Sequence, residues 1–248
     1  MRTVQNTRKA NPLVHHITND VVMNFTANGL LSFGASPIMA SDPQEVAEIT
    51  SLADGLLLNI GTLKEDELEA MVLAGRTANE KGIPVVLDPV GVAVSKFRGH
   101  AIDRLFSEIS VQAIKGNAGE IAHLANVPWE MRGVDSADGE LGELETIAKY
   151  VAKKFACIVI LTGEIDLITD GTTMYQNDAG HEWLTKVTGA GCLLGSIVTA
   201  CLAANSNAVE VAYEAVRFYG LSAERAASKE TVSGPGSFAQ AFLDELHR

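Results

Sequence analysis

Thr188-Gly189-Ala190-Gly191-Cys192 stands directly before Leu193 to Ala204, a run of small and apolar residues that reads as a helix. Glycines at a helix start let the backbone come close to a ligand, and the first turn offers unpaired amides with a partial positive charge. The amides of Gly189 to Cys192 are therefore candidates to face the charge that develops on a phosphoryl group in transfer. The same spacing also suits a Gly-rich turn whose only task is to let a helix pack tightly.

Four apolar runs end in polar residues of different chemistry. Asn59 follows Leu58, Asp88 follows Leu87, Lys115 follows Ile114 and Thr162 follows Leu161. Ligands of open α/β sheets bind outside the carboxyl ends of the strands, so an amide, a carboxylate, a lysine and a hydroxyl would gather on one rim. Any one of these residues could be polar merely because a strand end becomes a loop. Asn117 and Glu120 lie three apart at an expected helix start and share one face, so both could point at a hydrated Mg²⁺ near phosphates. The same pair also makes a capping box, and the two roles are compatible.

The elements that would hold these residues follow from pattern. Gly55 to Ile60, Val85 to Asp88, Val111 to Lys115 and Cys157 to Thr162 read as strands, and Glu65 to Glu80, Gly99 to Glu108 and Leu141 to Phe155 as helices of crossover length. Ile165 to Asp170 and Thr172 to Gln176 flank Gly171 as a hairpin, Val134 to Gly142 reads as a surface loop, and the chain from Gly195 onward reads as helical, with breaks at Asn205 to Asn207 and Ser233 to Gly236. This is an α/β pattern: a central, mostly parallel sheet with helices on both faces, expected as one domain over residues 1–248. There is no GxxxxGK[ST], and the glycines come too late, after the weak run Glu182 to Val187, for a dinucleotide fingerprint.

With 31 acidic against 19 basic residues, the field repels polyanions, which argues against nucleic acid and anionic membranes as partners. An anionic small ligand needs a spot where amides, a lysine or a metal ion reverse that field. Cys157, Cys192 and Cys201 form no CxxC pair and are odd in number, which points to a reducing cytoplasm. Met1 to Pro12 lacks the apolar core of a signal peptide and no apolar run reaches the length of a membrane span, so a soluble protein is expected.

Taken together, these residues resemble the hydroxyethylthiazole kinase family over nearly the whole chain. Val14-His15-His16-Ile17-Thr18-Asn19 is similar to the family's opening strand and turn, and Ser36-Pro37-Ile38-Met39 to its substrate segment. Asn59-Ile60-Gly61-Thr62, Asp88-Pro89-Val90-Gly91, Lys115-Gly116-Asn117 with Glu120, Thr162-Gly163-Glu164 with Asp166, the glycine motif and Gly234-Pro235-Gly236-Ser237-Phe238 follow in family order. The resemblance implies a ribokinase-like fold and ATP- and Mg²⁺-dependent phosphorylation of the primary alcohol of 4-methyl-5-(2-hydroxyethyl)thiazole in thiamine salvage. It further implies that Asn19, Val21, Met39 and Gly189 contact the thiazole alcohol, that Lys115 and Thr162, with Asn117 beside them, serve ATP, and that Asp88 and Glu120 organise magnesium. A homotrimer with active sites between subunits is implied in the same way.

Two positions carry a chemical consequence. Lys115 stands where many relatives carry arginine, so charge is retained without a bidentate grip on phosphate, a change that bears on ATP affinity more than on activity. Cys192 stands where the wider ribokinase-like group places aspartate, as thiazole kinases often do, and would receive the alcohol proton. A free thiol titrates near about 8.5, so it is a weak base unless the helix start lowers that value. That weakness keeps a rival open: a nucleotide-binding sensor without phosphotransfer. Other rivals are a kinase of a pyrimidine or vitamin B6 alcohol and a nicotinamide-hydrate dehydratase of the same fold. His15, His16, Cys157 and Cys201 read as structural, and Trp129 and Trp183 as covers of the core edge.

Overall fold

The computed structural model describes residues 1–127, 137–206 and 208–248, with backbone only for 137–140. After α1 (Arg2–Ala10), the chain runs β1 (Leu13–Ile17), α2 (Met23–Phe33), β2 (Ser36–Met39), α3 (Val46–Leu52), β3 (Gly55–Asn59), α4 (Glu65–Lys81) and β4 (Val85–Asp88). A 3₁₀ turn, Val92–Val94, then leads through α5 (Lys96–Glu108), β5 (Ala113–Asn117), α6 (Ala118–Leu124), α7 (Ala137–Phe155) and β6 (Ile158–Thr162). β7 (Asp166–Thr169) and β8 (Met174–Asn177) form a hairpin, and a second 3₁₀ turn, Glu182–Lys186, precedes α8 (Ala190–Ala204), α9 (Ala208–Ala227) and α10 (Pro235–Leu246).

The strands make one eight-stranded sheet in the order β2-β1-β3-β4-β5-β6-β7-β8. Every pairing from β2 to β6 is parallel, and only the β6–β7 and β7–β8 pairings are antiparallel. Strands covered on both faces read as continuous apolar runs, because alternate residues feed different cores. In β3, Leu56 and Leu58 join the core under α4 to α7, while Leu57 joins the core under α2, α8, α9 and α10. Val85 and Leu87 against Val86, and Val159 and Leu161 against Ile158 and Ile160, divide in the same way.

Two features deliver the site. The register sets Asn59 opposite Asp88 and Asn117 opposite Thr162, so these four strand ends form one rim. α8 is buried almost throughout from Cys192 to Leu202, and its small residues let it lie close on the sheet. A Cβ on Gly195 would come 3.3 Å from Leu57 and 3.8 Å from Asp88 Oδ2, so glycine there permits the approach of helix to strand ends.

The pattern reading needs three corrections. β5 runs on to Asn117, because its pairing with β6 continues through Gly116 and Asn117, and Lys115 therefore lies inside the strand. α7 begins at Ala137, so the part of the expected Val134 to Gly142 loop from Ala137 on is helical; Val134 to Ser136 lies outside the described residues. The weak run before the glycines folds as a 3₁₀ turn over Glu182–Lys186. α8 starts at Ala190, three residues before the expected start. Trp129 and Asn207 lie outside the described residues, and Trp183 packs half-buried against Phe238 with ring centroids 5.7 Å apart.

Candidate active site

The centre of the site is a chain of buried polar groups between the sheet rim and the start of α8. Asp88 is fully buried and its Oδ1 lies 3.0 Å from Lys115 Nζ. Lys115, 5% exposed, also donates to the Gly191 carbonyl at 3.3 Å. Asp88 Oδ2 accepts from Asn59 Nδ2 at 2.9 Å, and the same nitrogen reaches Cys192 Sγ at 3.2 Å. Asn19 Nδ2 donates to Asn59 Oδ1 at 3.0 Å and approaches Cys192 Sγ at 3.6 Å. Asn19, Asp88, Lys115, Gly191 and Cys192 are thus brought together, and Asn59 joins them.

Burial pulls the Lys115 ammonium down, yet Asp88 first, then Cys192 and Glu120, carry its pKa above the ordinary lysine value. Burial pushes the Asp88 carboxyl up, and the Lys115 charge and the Asn59 amide offset part of this, so that at 3.0 Å the two form an ion pair with a charged lysine. Burial pushes the Cys192 thiol up, the Asp88 charge adds to this, and Lys115 with the Asn59 and Asn19 amides only partly offset it. Burial and the Asp88 charge thus outweigh Lys115 and the two amides, and Cys192 is held toward its thiol form.

Gly189 caps α8 with φ +94°, a left-handed conformation that favours glycine, and a Cβ there would come 3.1 Å from Val22 and 3.2 Å from Phe25. Of the amides in the motif, that of Ala190 is already bonded to the Val187 carbonyl at 3.2 Å. Tyr219 Oη holds the Ala190 carbonyl at 2.5 Å and so ties the turn to α9.

Glu120 and Asn117 make the capping box: Asn117 N donates to Glu120 Oε2 and Glu120 N to Asn117 Oδ1, each at 2.9 Å. The other oxygen, Glu120 Oε1, accepts from Gly91 N at 2.9 Å, which draws the turn after β4 to the start of α6. Among the described residues no group of three or more His, Cys, Asp or Glu could hold a metal ion. Both Glu120 oxygens and Asp88 Oδ2 accept from protein N–H groups, while the buried Asp88 Oδ1 is ion-paired with Lys115 but accepts no hydrogen bond, a set that suits an ion carried on phosphates and reached through water. Asn117 is exposed, and Thr162, half-buried opposite it, donates to the Gly116 carbonyl at 3.4 Å. Thr162 and Asn117 thus share the rim but lie outside the buried cluster.

A family model for the hydroxyethylthiazole kinase family matches residues 4–248. The chain belongs to this family. A hydroxyethylthiazole kinase 1 of Oceanobacillus iheyensis is 50% identical over 245 residues, 99% of this chain and 95% of that protein. A solved hydroxyethylthiazole kinase protein of Pyrococcus horikoshii superposes with TM-score 0.90 at 37% identity, covering 99% of this chain and 91% of that one. A ribokinase-like superfamily protein of Enterococcus faecalis, at TM-score 0.68 and 15% identity over 98% and 88% of the two chains, shares the fold.

For a hydroxyethylthiazole kinase family member, two expected substrate residues sit apart from the buried cluster. Val21 is 69% exposed, and Met39 lies half-buried on the edge strand β2, opposite His16 in the register. Sequence reasoning placed Asn59 on the rim but gave it no task. Its place at a strand end was the available signal, and its bonds to Asp88, Asn19 and Cys192 were not readable, since those residues come from distant parts of the chain.

Proposed function

We propose that this enzyme transfers the γ-phosphoryl group of ATP to the primary alcohol of hydroxyethylthiazole at the rim where α8 meets β3, β4 and β5, within one domain spanning residues 1–248. The observation that carries this reading is the buried Lys115–Asp88 ion pair, with Lys115 held under Gly191, beside the only buried thiol at the start of α8 among the described residues. In an acidic chain a fixed cation beside free amides supports reading this rim as the spot where phosphate charge develops.

The free amides at the start of α8 face the transferring group, and Lys115, at the Gly191 carbonyl, offsets its charge from below. Asn19 and Gly189, with Val21 and Met39 on the outer side, hold the thiazole alcohol. Thr162 and Asn117 on the rim serve the nucleotide. Mg²⁺, when bound with ATP, neutralises phosphate charge, and Asp88 and Glu120 would hold its water shell. Cys192 Sγ stands beside the attacking hydroxyl. Its thiol is mostly protonated, so proton acceptance rests on a small thiolate fraction. A loose, metaphosphate-like transition state asks little of a base and tolerates this.

A homotrimer with shared sites accords with the exposure of Val21, which a neighbouring subunit would cover. A cytoplasmic setting accords with three free cysteines, all buried. No described helix is long and apolar enough to cross a membrane. The test is incubation with ATP, Mg²⁺ and hydroxyethylthiazole, followed by phosphorus NMR. A thiazole phosphate monoester with alcohol-dependent ADP release is expected. ADP release indifferent to the thiazole but raised by a pyrimidine alcohol overturns the substrate.

A further inference from the structure

We propose that Asn59 is a positioning residue for phosphoryl transfer, whose amide sets Cys192 against the alcohol and ties it to the Asp88–Lys115 pair. The proposal rests on the reading of Cys192 given above. Asn59 is 2% exposed and its side chain is fully committed. Nδ2 donates to Asp88 Oδ2 at 2.9 Å and to Cys192 Sγ at 3.2 Å, while Oδ1 accepts from Asn19 Nδ2 at 3.0 Å and from Gly61 N at 2.9 Å. Both protons and both lone pairs of one amide are used.

The orientation of this amide follows from its partners. A backbone N–H can only donate, so the atom facing Gly61 is the carbonyl oxygen. An ionised carboxylate can only accept, so the atom facing Asp88 is the NH₂ group. The second proton of that group then falls on sulfur, and Cys192 is the acceptor of this bond. Asn19 Nδ2 brings a second donor at 3.6 Å. A sulfur that accepts from two amides turns its own hydrogen, or its free lone pair, away from both.

Local backbone geometry is shaped around the same contact. A Cβ on Gly61 would lie 2.9 Å from both Cβ and Nδ2 of Asn19, so glycine at 61 lets Asn19 lie on the Asn59 turn. Arg98 braces that turn from outside, donating to the Gly61 carbonyl and, at 3.1 Å, to the Val90 carbonyl after β4. The turn after β1, the ends of β3 and β4 and the start of α8 therefore meet at one amide, which links Asn19, the ion pair and the thiol.

A double-mutant cycle separates this role from a merely structural one. Turnover, the Michaelis constant for ATP and stability to urea are measured for Asn59→Ala and Asn59→Asp, each with Cys192 intact and with Cys192→Ala. Asn59→Asp keeps acceptors for Asn19 and Gly61 and loses both donors, so it preserves the turn if Asn59→Ala does not fold. The expected result is a loss in kcat of roughly tenfold or more with Cys192 intact, a Michaelis constant for ATP changed less than about threefold, and a much smaller loss in the Cys192→Ala background. Equal fold-losses in both backgrounds overturn the proposal and leave Cys192 in its assigned place. Unchanged turnover on replacing Asn59 also overturns it, as does failure of both variants to fold. Full activity of Cys192→Ala by itself removes the reading of Cys192, and this proposal with it.

Discussion

At the scale of single residues the decisive contrast lies between charge and burial. Lys115 keeps its proton because Asp88 sits 3.0 Å away, whereas Cys192, a few ångströms from the same pair, is held as a thiol. An aspartate of ordinary pKa near about 4 is ionised at neutral pH, and at position 192 it would find the Asn59 and Asn19 amides ready to donate. We expect Cys192→Asp to turn over at least as fast as the parent. Cys192→Ala is expected to be slower, within roughly a hundredfold, because positioning and the free amides remain. Steady-state rates of thiazole phosphorylation decide both. An unchanged Cys192→Ala rate would show that the thiol is not the acceptor, and a folded, inactive Cys192→Asp would show that a second carboxylate near Asp88 and the phosphates outweighs the better base. Motif and family order named Asn19, Asp88 and Cys192 as candidates; the bonds from Asn19 and Asn59 to Cys192 were not legible, because side chains 173 and 133 positions apart meet only in the fold.

At the scale of elements, β1 and α8 are joined by a buried histidine. His16 Nδ1 lies 2.9 Å from the Val14 carbonyl and so carries the proton, which leaves Nε2 to accept from Ser196 Oγ at 2.7 Å. Ser196 is one turn beyond Cys192, so this bond fixes the helix that presents the thiol. Burial lowers the His16 pKa to about 4, against an ordinary value of 6.5. Between these values the unfolded chain takes up a proton that the folded chain refuses, so the stability His16 contributes is whole above pH 6.5 and is lost as pH falls toward 4. The loss is on the order of 3 kcal/mol at most. His15 is lowered as well, chiefly by burial, and acts in the same direction. Urea unfolding across this pH range should show falling stability in the parent and a shallower fall in His16→Gln; identical slopes would remove His16 from the account.

At the scale of the molecule, the proposed trimer can be tested through exposed apolar side chains. Val21, Leu31 and Leu52 are 69%, 57% and 69% exposed in the isolated chain, and Val21 belongs to the segment expected to touch the substrate. Light scattering should give three times the mass of one chain, and activity per chain should fall on dilution as the assembly dissociates. A fully active monomer would contradict shared sites. Val21→Asp, which places a charge on that surface, should weaken the assembly and raise the Michaelis constant for the alcohol together. A change in only one of the two would separate assembly from substrate binding.

The sequence alone determined the α/β class, the rim of strand ends, the Gly-rich start of α8 and the family, because these depend on local periodicity and on short motifs in fixed order. It placed β4 without error and missed the true end of β5, since a strand ends where its neighbour stops pairing and not where its own apolar run stops. Tertiary structure alone decided that Lys115 is a buried partner of Asp88, that Cys192 is a thiol, and that Asn59 binds the site together. Each of these depends on burial or on a hydrogen bond across the sheet, and both are set only when distant segments pack against one another.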